Sequence, residues 1–260
     1  MRILELECRA EDVDTLVAEL WSRGVEGIEE VDTPGGGRIL KAYFESEIDT
    51  TGFARYAPRW HDAIERDWIA VSRAQWKHVL AGERFFLAPE WSGEPAPPGR
   101  LRLVMRSGAA CGSGWGEPTQ LMLECMERVL RPGSTVLDLG TGTGILAAAA
   151  ALLGAGRIYA CDIDHEATKI AARRFREDGV AAHPFTGSAR SVRSAAIDLV
   201  LANINAASLA AIAPELERIR AANGTLVLGG FREKDLERIG RAFHITAQPL
   251  EKNGWLAVLA

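Results

Sequence analysis

The sequence is poor in the signatures that usually place a protein quickly. Its 260 residues include four cysteines, at 8, 111, 125 and 161, and none stands in a CxxC pair or a Cys/His spacing suited to zinc. The histidines at 61, 78, 165, 183 and 244 form no HExxH pattern, so no metal site is expected. A G-x-S-x-G elbow is also missing, which excludes the commonest serine-hydrolase arrangement. Long apolar runs are absent: ILAAAAALL at 145–153 is nine residues, against about 20 needed to cross a bilayer. No membrane association is expected. Without an apolar stretch near the start to act as a leader, the cytoplasm is the expected compartment, with buried, reduced thiols. Positive charge is not in excess either. Thirty Lys and Arg against 35 Asp and Glu leave a net charge of −5, and direct nucleic-acid binding is not expected, because phosphate contacts need a basic face.

What charge there is lies unevenly. Residues 1–49 hold 5 basic and 13 acidic side chains, a net of −8, so the remainder is net +3. RILELECR at 2–9 alternates like a half-buried strand, and Val13, Leu16, Val17 and Leu20 repeat at helical spacing up to a stop at Gly24. VEGIEEV and RILKAYF flank the turn TPGGG at 33–37. The order β, α, β, β is part of a ferredoxin-like unit, with DTTGFARYAPRWHDAIERD at 49–67 as the source of a second helix. Residues 1–58 are thus expected to form a small α+β domain. The segment 59–100 then carries Trp60, Trp68, Trp76 and Trp91, four of the seven tryptophans. It reads as a connecting segment whose aromatics anchor packing, ending in the loop SGEPAPPGR at 92–100.

From Leu101 to residue 260 strands and helices alternate. EPTQLMLECMERVL at 117–130 reads as a helix and STVLDLG as a strand, followed by an apolar helix, the strand RIYACDID and the helix HEATKIAARRFREDG. SAAIDLVLANI, another helix, TLVLGGF and WLAVLA complete the pattern. Short apolar strands separated by helices of ten or more residues predict a mostly parallel sheet covered on both faces, an α/β Rossmann-like domain.

The chemistry centres on V136-L-D138-L-G140-T-G142-T-G144. A buried strand delivers Asp138, and alternate glycines let the backbone approach a ligand at the carboxyl ends of the strands. Gly142-T-G144-I-L-A147 also fits the GxGxxA form of a dinucleotide fingerprint, with Asp162 20 residues on. The carboxylate of Asp138 and the extra Gly140 would, however, face an incoming pyrophosphate, whereas a cationic ligand with an amino group gains from the acid. S-adenosyl-L-methionine fits better than a nicotinamide cofactor; a fold that keeps the loop without a cofactor is the remaining alternative. Asp162 ends its strand and is the candidate for the ribose hydroxyls. Asp164 suits either that role or a helix cap. Gly187 and Ser188 would close the third strand over the adenine. Asn203, ending D198-L-V-L-A-N203-I-N205, carries donors and an acceptor that can hold an attacking amine beside the methyl group. Asn205 has the weaker claim, an ordinary turn residue being the alternative. Methyl transfer then needs an unprotonated nucleophile held in line, with orientation and desolvation carrying the rate and no general base required. Lys169, Arg173, Arg174 and Arg176 are expected on a solvated helix face.

These motifs together resemble the ribosomal protein L11 methyltransferases. The resemblance rests on DLGTGTGILAAAA at 138–150, CDID at 161–164, DLVLANI at 198–204, GG at 229–230 and the segment D67-W68 … W76-K77-H78 … G82-E83-R84-F85 … P89-E90-W91. It implies an N-terminal ferredoxin-like domain that grips a basic ribosomal protein, L11, and a Rossmann-like S-adenosylmethionine-dependent methyltransferase domain that methylates its N-terminal α-amine and lysine side chains. It also implies Asp138, Gly140, Gly142 and Gly144 around the methionine part, Asp162 at the ribose and Asn203 near the transferred methyl. A related enzyme acting on a lysine of electron-transfer flavoprotein, a small-molecule methyltransferase and a cofactor-binding module without turnover are the alternatives. A monomer is expected. The chain departs from the family in the loop C111-G-S-G-W-G-E-P-T119-Q, where FGTGxHxTT is usual: Thr119 keeps its place among the cofactor-binding candidates, but Gly116 and Pro118 replace the His and the first Thr.

Overall fold

The structure is a computed structural model that describes residues 2–33, 37–62, 76–106 and 115–260. Two compact units divide the chain, Met1–Gln75 and Trp76–Ala260.

In the first unit, strands β1 (Arg2–Arg9), β2 (Gly27–Asp32), β3 (Gly37–Phe44) and β4 (Arg59–Asp62) form an antiparallel sheet in the order β2-β3-β1-β4. Helix α1 (Val13–Ser22) links β1 to β2. This strand order is that of a ferredoxin-like fold. Leu4, Leu6, Leu40, Ala42 and Phe44 alternate with more exposed residues and pack with Leu16 and Leu20 of α1, as a sheet with one buried face requires. Within 49–67, where a second helix is expected, the described residues form a short 3-10 helix, Thr51–Tyr56, which sends Phe53 and Tyr56 into the core; residues 63–67 lie outside the described residues. Pro58 disfavours the right-handed helical region for the residue before it, and Ala57 adopts φ +49 instead. The chain then straightens into β4, whose residues pair with Arg2–Glu5 of β1. A boundary at 58 would therefore cut the sheet, and the unit continues to Gln75. Trp60 stands edge-on to Phe44 at 5.9 Å; Trp68 lies outside the described residues.

The second unit starts at Trp76 rather than Leu101. What reads as a connecting segment contains β5 (Val79–Ala81) and β6 (Phe85–Pro89), which join β7 (Leu101–Met105) in a three-stranded sheet. Apolar burial places this sheet in the unit: Phe85, Leu87, Leu103 and Met105 are buried with residues of helices α2 (Glu117–Val129) and α3 (Ile145–Leu152). Trp76 packs on the same core and lies 5.4 Å from Trp91. A chain of polar contacts fastens the proline-rich loop that follows: His78 meets Ser92 Oγ at 2.9 Å through Nε2 and Glu94 at 3.0 Å through Nδ1.

The main sheet has seven strands: β8 (Thr135–Leu139), β9 (Arg157–Asp162), β10 (Ala182–Thr186), β11 (Ile197–Asn203), β12 (Arg220–Arg232), β13 (Leu250–Lys252) and β14 (Trp255–Leu259). Their order is β10-β9-β8-β11-β12-β14-β13, with β8 to β12 parallel and β14 antiparallel to both neighbours. Leu199, Leu201 and Val227 face one layer with α2, α3 and α4 (His165–Glu177); Val200, Ala202 and Leu226 face the other with α5 (Ala206–Ile219) and α6 (Leu236–Ala242). The strand order reverses between β8 and β11, and the carboxyl ends there form the crevice in which doubly wound sheets bind ligands. Cys125 and Cys161 are buried, and burial pushes both thiols up to about 12, so they stay protonated and inert.

Candidate active site at the strand-order switch

β8 delivers Asp138 to the crevice, and the chain then turns through Gly140, Gly142 and Gly144 at φ +73, +52 and +77. Two of these glycines also leave room for neighbours. A Cβ on Gly140 would lie 2.6 Å from Ile204, and one on Gly144 would lie 2.8 Å from the ring of Phe175. The loop is held from below, where the N–H groups of Gly140 and Thr141 both donate to the carbonyl of Cys161, at 2.8 and 3.0 Å.

Asp138 is a buried brace beneath the loop. Its Oδ2 accepts from Thr141 Oγ1 at 2.7 Å and from the backbone N–H of Ala147 at 3.1 Å. It thereby serves the start of α3, whose N-cap, Gly144, has no side chain to do so. Burial pushes the Asp138 carboxyl up to about 6, against the opposing pull of those two hydrogen bonds, and the neighbouring Asp162 adds to the rise. Oδ1 of Asp138 is buried with no hydrogen-bond partner among the described residues.

Asp162, at the tip of β9, ties three segments together. Its Oδ2 accepts from Gly142 N–H at 3.1 Å, its Oδ1 from Asp164 N–H at 3.0 Å, and its carbonyl from Gly187 N–H at 2.8 Å. Asp164 is the N-cap of α4, accepting from Glu166 N–H at 2.9 Å. Ser188 caps the short turn after β10 through Arg190 N–H.

Asn203 ends β11. Register places Leu201 beside Asp138 and Ala202 beside Leu139, so Asn203 stands level with the start of the glycine loop. Its Oδ1 is the second buried side-chain oxygen at the switch that lacks a hydrogen-bond partner among the described residues. Gly229 and Gly230 of β12 make this placement possible. Gly230, at φ +86, sits where a Cβ would be 2.8 Å from Ile204 O and 2.9 Å from Asn203 Oδ1. A Cβ on Gly229 would meet Met122 of α2 at 2.6 Å. The β12–β14 register shifts between Gly229 and Phe231, the mark of a bulge that bends the strand around Asn203. Asn205 accepts from Ser208 N–H at 2.9 Å and caps α5.

Thr119 is buried in the first turn of α2, one turn before Met122. In the departing loop, Gly116 has extended backbone as the N-cap of α2 and Pro118 occupies its first turn, where no intrahelical N–H is needed; residues 107–114, with Cys111, lie outside the described residues. The structure thus joins Gly142, Asp162 and Gly187 by hydrogen bonds, ties Asp138 to Thr141 of the same loop, sets Asn203 level with the loop's start, and puts Thr119 in the first turn of α2 and Ser188 after β10.

Sequence reasoning passed over Thr141, Met122 and the structural use of Gly229 and Gly230. It also set Arg174 on a solvated face, and there the structure differs. Arg174 is 1% exposed, donates to Val104 O and lies 3.3 Å from Asp178, while burial lowers its guanidinium to about 10. The spacing of Ala167, Ala171, Arg174 and Phe175 was the available signal, since all four share the buried face of α4. Lys169 is solvated as predicted and pairs with Glu166.

Known proteins agree with this architecture. The family model described as "Ribosomal protein L11 methyltransferase (PrmA)" matches residues 38–260. A ribosomal protein L11 methyltransferase of Pelotomaculum thermopropionicum is 38% identical over 205 residues, covering 75% of this chain and 66% of that protein. One from Symbiobacterium thermophilum is 30% identical over 221 residues, covering 82% and 72%. The chain spans 59% of a Cupriavidus necator relative that is 36% identical over 182 residues, 69% of this chain. Among solved structures, a ribosomal protein L11 methylase of Lactobacillus delbrueckii subsp. bulgaricus superposes with a TM-score of 0.63 at 26% identity, covering 71% of this chain and 97% of that one. With the glycine loop, the strand order and this match over most of its length, the chain belongs to the ribosomal protein L11 methyltransferase family.

Proposed function

We propose that the protein is an S-adenosylmethionine-dependent protein methyltransferase that transfers methyl groups to amino groups, the N-terminal α-amine and lysine side chains, of ribosomal protein L11. One observation carries the reading: two buried side-chain oxygens, Asp138 Oδ1 and Asn203 Oδ1, lack hydrogen-bond partners among the described residues on adjacent strand tips beside the glycine loop. Unsatisfied buried acceptors call for a donor. The ammonium of the cofactor's methionine part suits the first and the N–H of an acceptor amine the second. The loop of Gly140, Gly142 and Gly144 would lie along the methionine part, and Asp162, with Gly187 and Ser188 beyond it, along the nucleoside. Thr119 would close the site from α2.

When bound, the cofactor supplies an electrophilic methyl group. The chain's own part is positioning. Asn203 Oδ1 accepts an N–H of the neutral amine, which directs the nitrogen lone pair, and the glycines at 229 and 230 leave the space that this carboxamide occupies. Buried neighbours such as Met122 exclude water, so a bare amine is not resolvated. The proton the amine carries in bulk solvent is lost to water before it enters.

The acidic first unit suits a basic protein acceptor through charge complementarity. The altered loop residues Gly116 and Pro118 favour, as a second reading, a different protein lysine or a small amine as the acceptor. Incubating the protein with cofactor and purified L11, then measuring intact mass, decides between them. Stepwise gains of one methylene mass on L11 are expected; cofactor binding with no gain on L11 removes that substrate, and a cell extract resolved by mass then reports whether a protein or a small molecule is modified.

A further inference from the structure

The strand-order switch divides the carboxyl edge of the sheet into two sides. Asp162, Gly187 and Ser188 lie on the β9–β10 side. On the other side, beyond Asn203, β12 continues to Arg232, which pairs with Trp255 at the start of β14. The guanidinium of Arg232 covers the indole of Trp255, 4.1 Å from its centroid. The same guanidinium donates through Nη1 to the carbonyl of Asn253 at 3.2 Å and lies against Gly254. Asn253 and Gly254 form the tight β13–β14 turn at φ +51 and +76, and the Asn253 carboxamide donates to Glu117 at 3.0 Å. Glu117 opens α2, the helix whose Met122 packs on Gly229 beside Asn203. A carboxylate and an aromatic face are thus linked through Asn253 and Arg232 at the end of β12, the strand that runs beside Asn203. The hydrogen bond from Asn253, with Lys252 and Arg232 nearby, holds the Glu117 carboxyl below its ordinary range, so it is an anion at neutral pH.

Resting on the amine-transfer reading, we propose that the face of Trp255 and the carboxylate of Glu117 are the receiving surface for the cationic amine of the acceptor, with Arg232 as a resident cation that the incoming one displaces. An indole face attracts a cation through its quadrupole, and a quaternary ammonium, the end point of successive methylation, is a good partner for such a face. Arg232 is exposed and donates one hydrogen bond to a neutral carbonyl, and an incoming cation takes over its attraction to the ring and to the Glu117 carboxylate, which offsets the cost of displacing it. A purely structural Arg232 would act in the opposite sense, since its loss would loosen the β13–β14 turn and weaken everything that binds at the rim.

The test is calorimetric titration of the cofactor-loaded protein with a short peptide containing one lysine and with its trimethyllysine counterpart. Arg232→Met, which keeps the aliphatic stem and removes the charge, should bind the trimethyllysine peptide about threefold more tightly or better, with cofactor affinity unchanged. Trp255→Leu should bind it about tenfold more weakly. Equal or weaker peptide binding by Arg232→Met overturns the proposal, as does failure of wild type and Arg232→Met alike to bind either peptide; the Arg232 variant decides alone should Trp255→Leu not fold. Methyl transfer measured on the same samples separates the two readings. Peptide binding that follows the expected order without transfer to any amine removes the amine-transfer reading and leaves the receiving surface in place, whereas transfer with an unchanged KM in Arg232→Met removes the receiving surface and keeps the reaction.

Discussion

Asp162 Oδ2 accepts the backbone N–H of Gly142 at 3.1 Å, joining the tip of one strand to the middle of the glycine loop twenty residues earlier. Its other oxygen holds the N–H of Asp164. The carboxylate that would meet the ribose is therefore already fixed in direction by two backbone donors, each oxygen keeping a lone pair for a further hydrogen bond. Preorganisation of this kind lowers the cost of ordering the site when a ligand arrives.

Asp162→Ala should weaken cofactor binding by roughly 1.5–3 kcal/mol, because a charge-assisted acceptor is lost together with the tie to Gly142. Asp164→Ala removes only the α4 cap and should cost about 1 kcal/mol of stability with little change in affinity. Calorimetric titration of both variants checks the assignment; a larger affinity loss in Asp164→Ala would transfer the ribose role to Asp164.

Asn203→Ala should lower kcat more than it lowers cofactor affinity if, as proposed, Asn203 holds the amine rather than the nucleoside. Steady-state kinetics beside a binding titration separates the two. A defect confined to binding contradicts the positioning role.

Gly230→Ala should destabilise the protein by about 1–3 kcal/mol, from a left-handed backbone and an overpacked contact with Ile204 O and Asn203 Oδ1. Gly179, also at positive φ but with open space around it, supplies the control. Gly179→Ala carries only the backbone penalty, about 1 kcal/mol. Urea midpoints of the two variants should differ in that order, and equal midpoints would show that the β12 bulge yields to the added methyl.

Asp138 gives a pH dependence with a definite sign. Burial raises its folded-state value to about 6 from the ordinary 3.8, so the folded protein binds this proton more tightly than the unfolded chain. Its contribution to stability is fully present below the ordinary value and is lost as pH rises through about 6. Unfolding free energies of wild type and Asp138→Asn, followed from about pH 4 to about pH 7, should show the wild type losing ground to the variant across that window. A difference that stays flat or grows in the wild type's favour would place the Asp138 titration elsewhere.

Local pattern made much of this protein legible. The two-residue alternation of RILELECR predicts β1 because one face of that sheet meets a core, and the apolar blocks around Asp138 and Asn203 predict parallel strands because helices cover both faces. Alternate glycines before an apolar helix mark a loop at a strand end, and that is where Gly140, Gly142 and Gly144 turn. Other features depend on partners distant in sequence. β4 exists as a strand because β1 offers it an edge, and the short segments at 79–81 and 85–89 join the second unit because α2 and α3 bury them.

The sequence by itself determined the main alternation of strands and helices from Leu101 onward, the glycine loop, and the acids and asparagines at strand ends, since these follow from backbone preference and hydrophobic period over a few residues. Tertiary structure alone decided which of several similar polar groups is left with an open oxygen. Asp138 and Asn203 keep buried oxygens without a hydrogen-bond partner among the described residues, while Asp164 and Asn205 are used as helix caps and Arg174 is drawn inward. The reason is that a polar atom's fate depends on what else reaches it, and for these residues the deciding neighbours, Gly230, Ala147 and Val104 among them, are brought close only when the sheet closes.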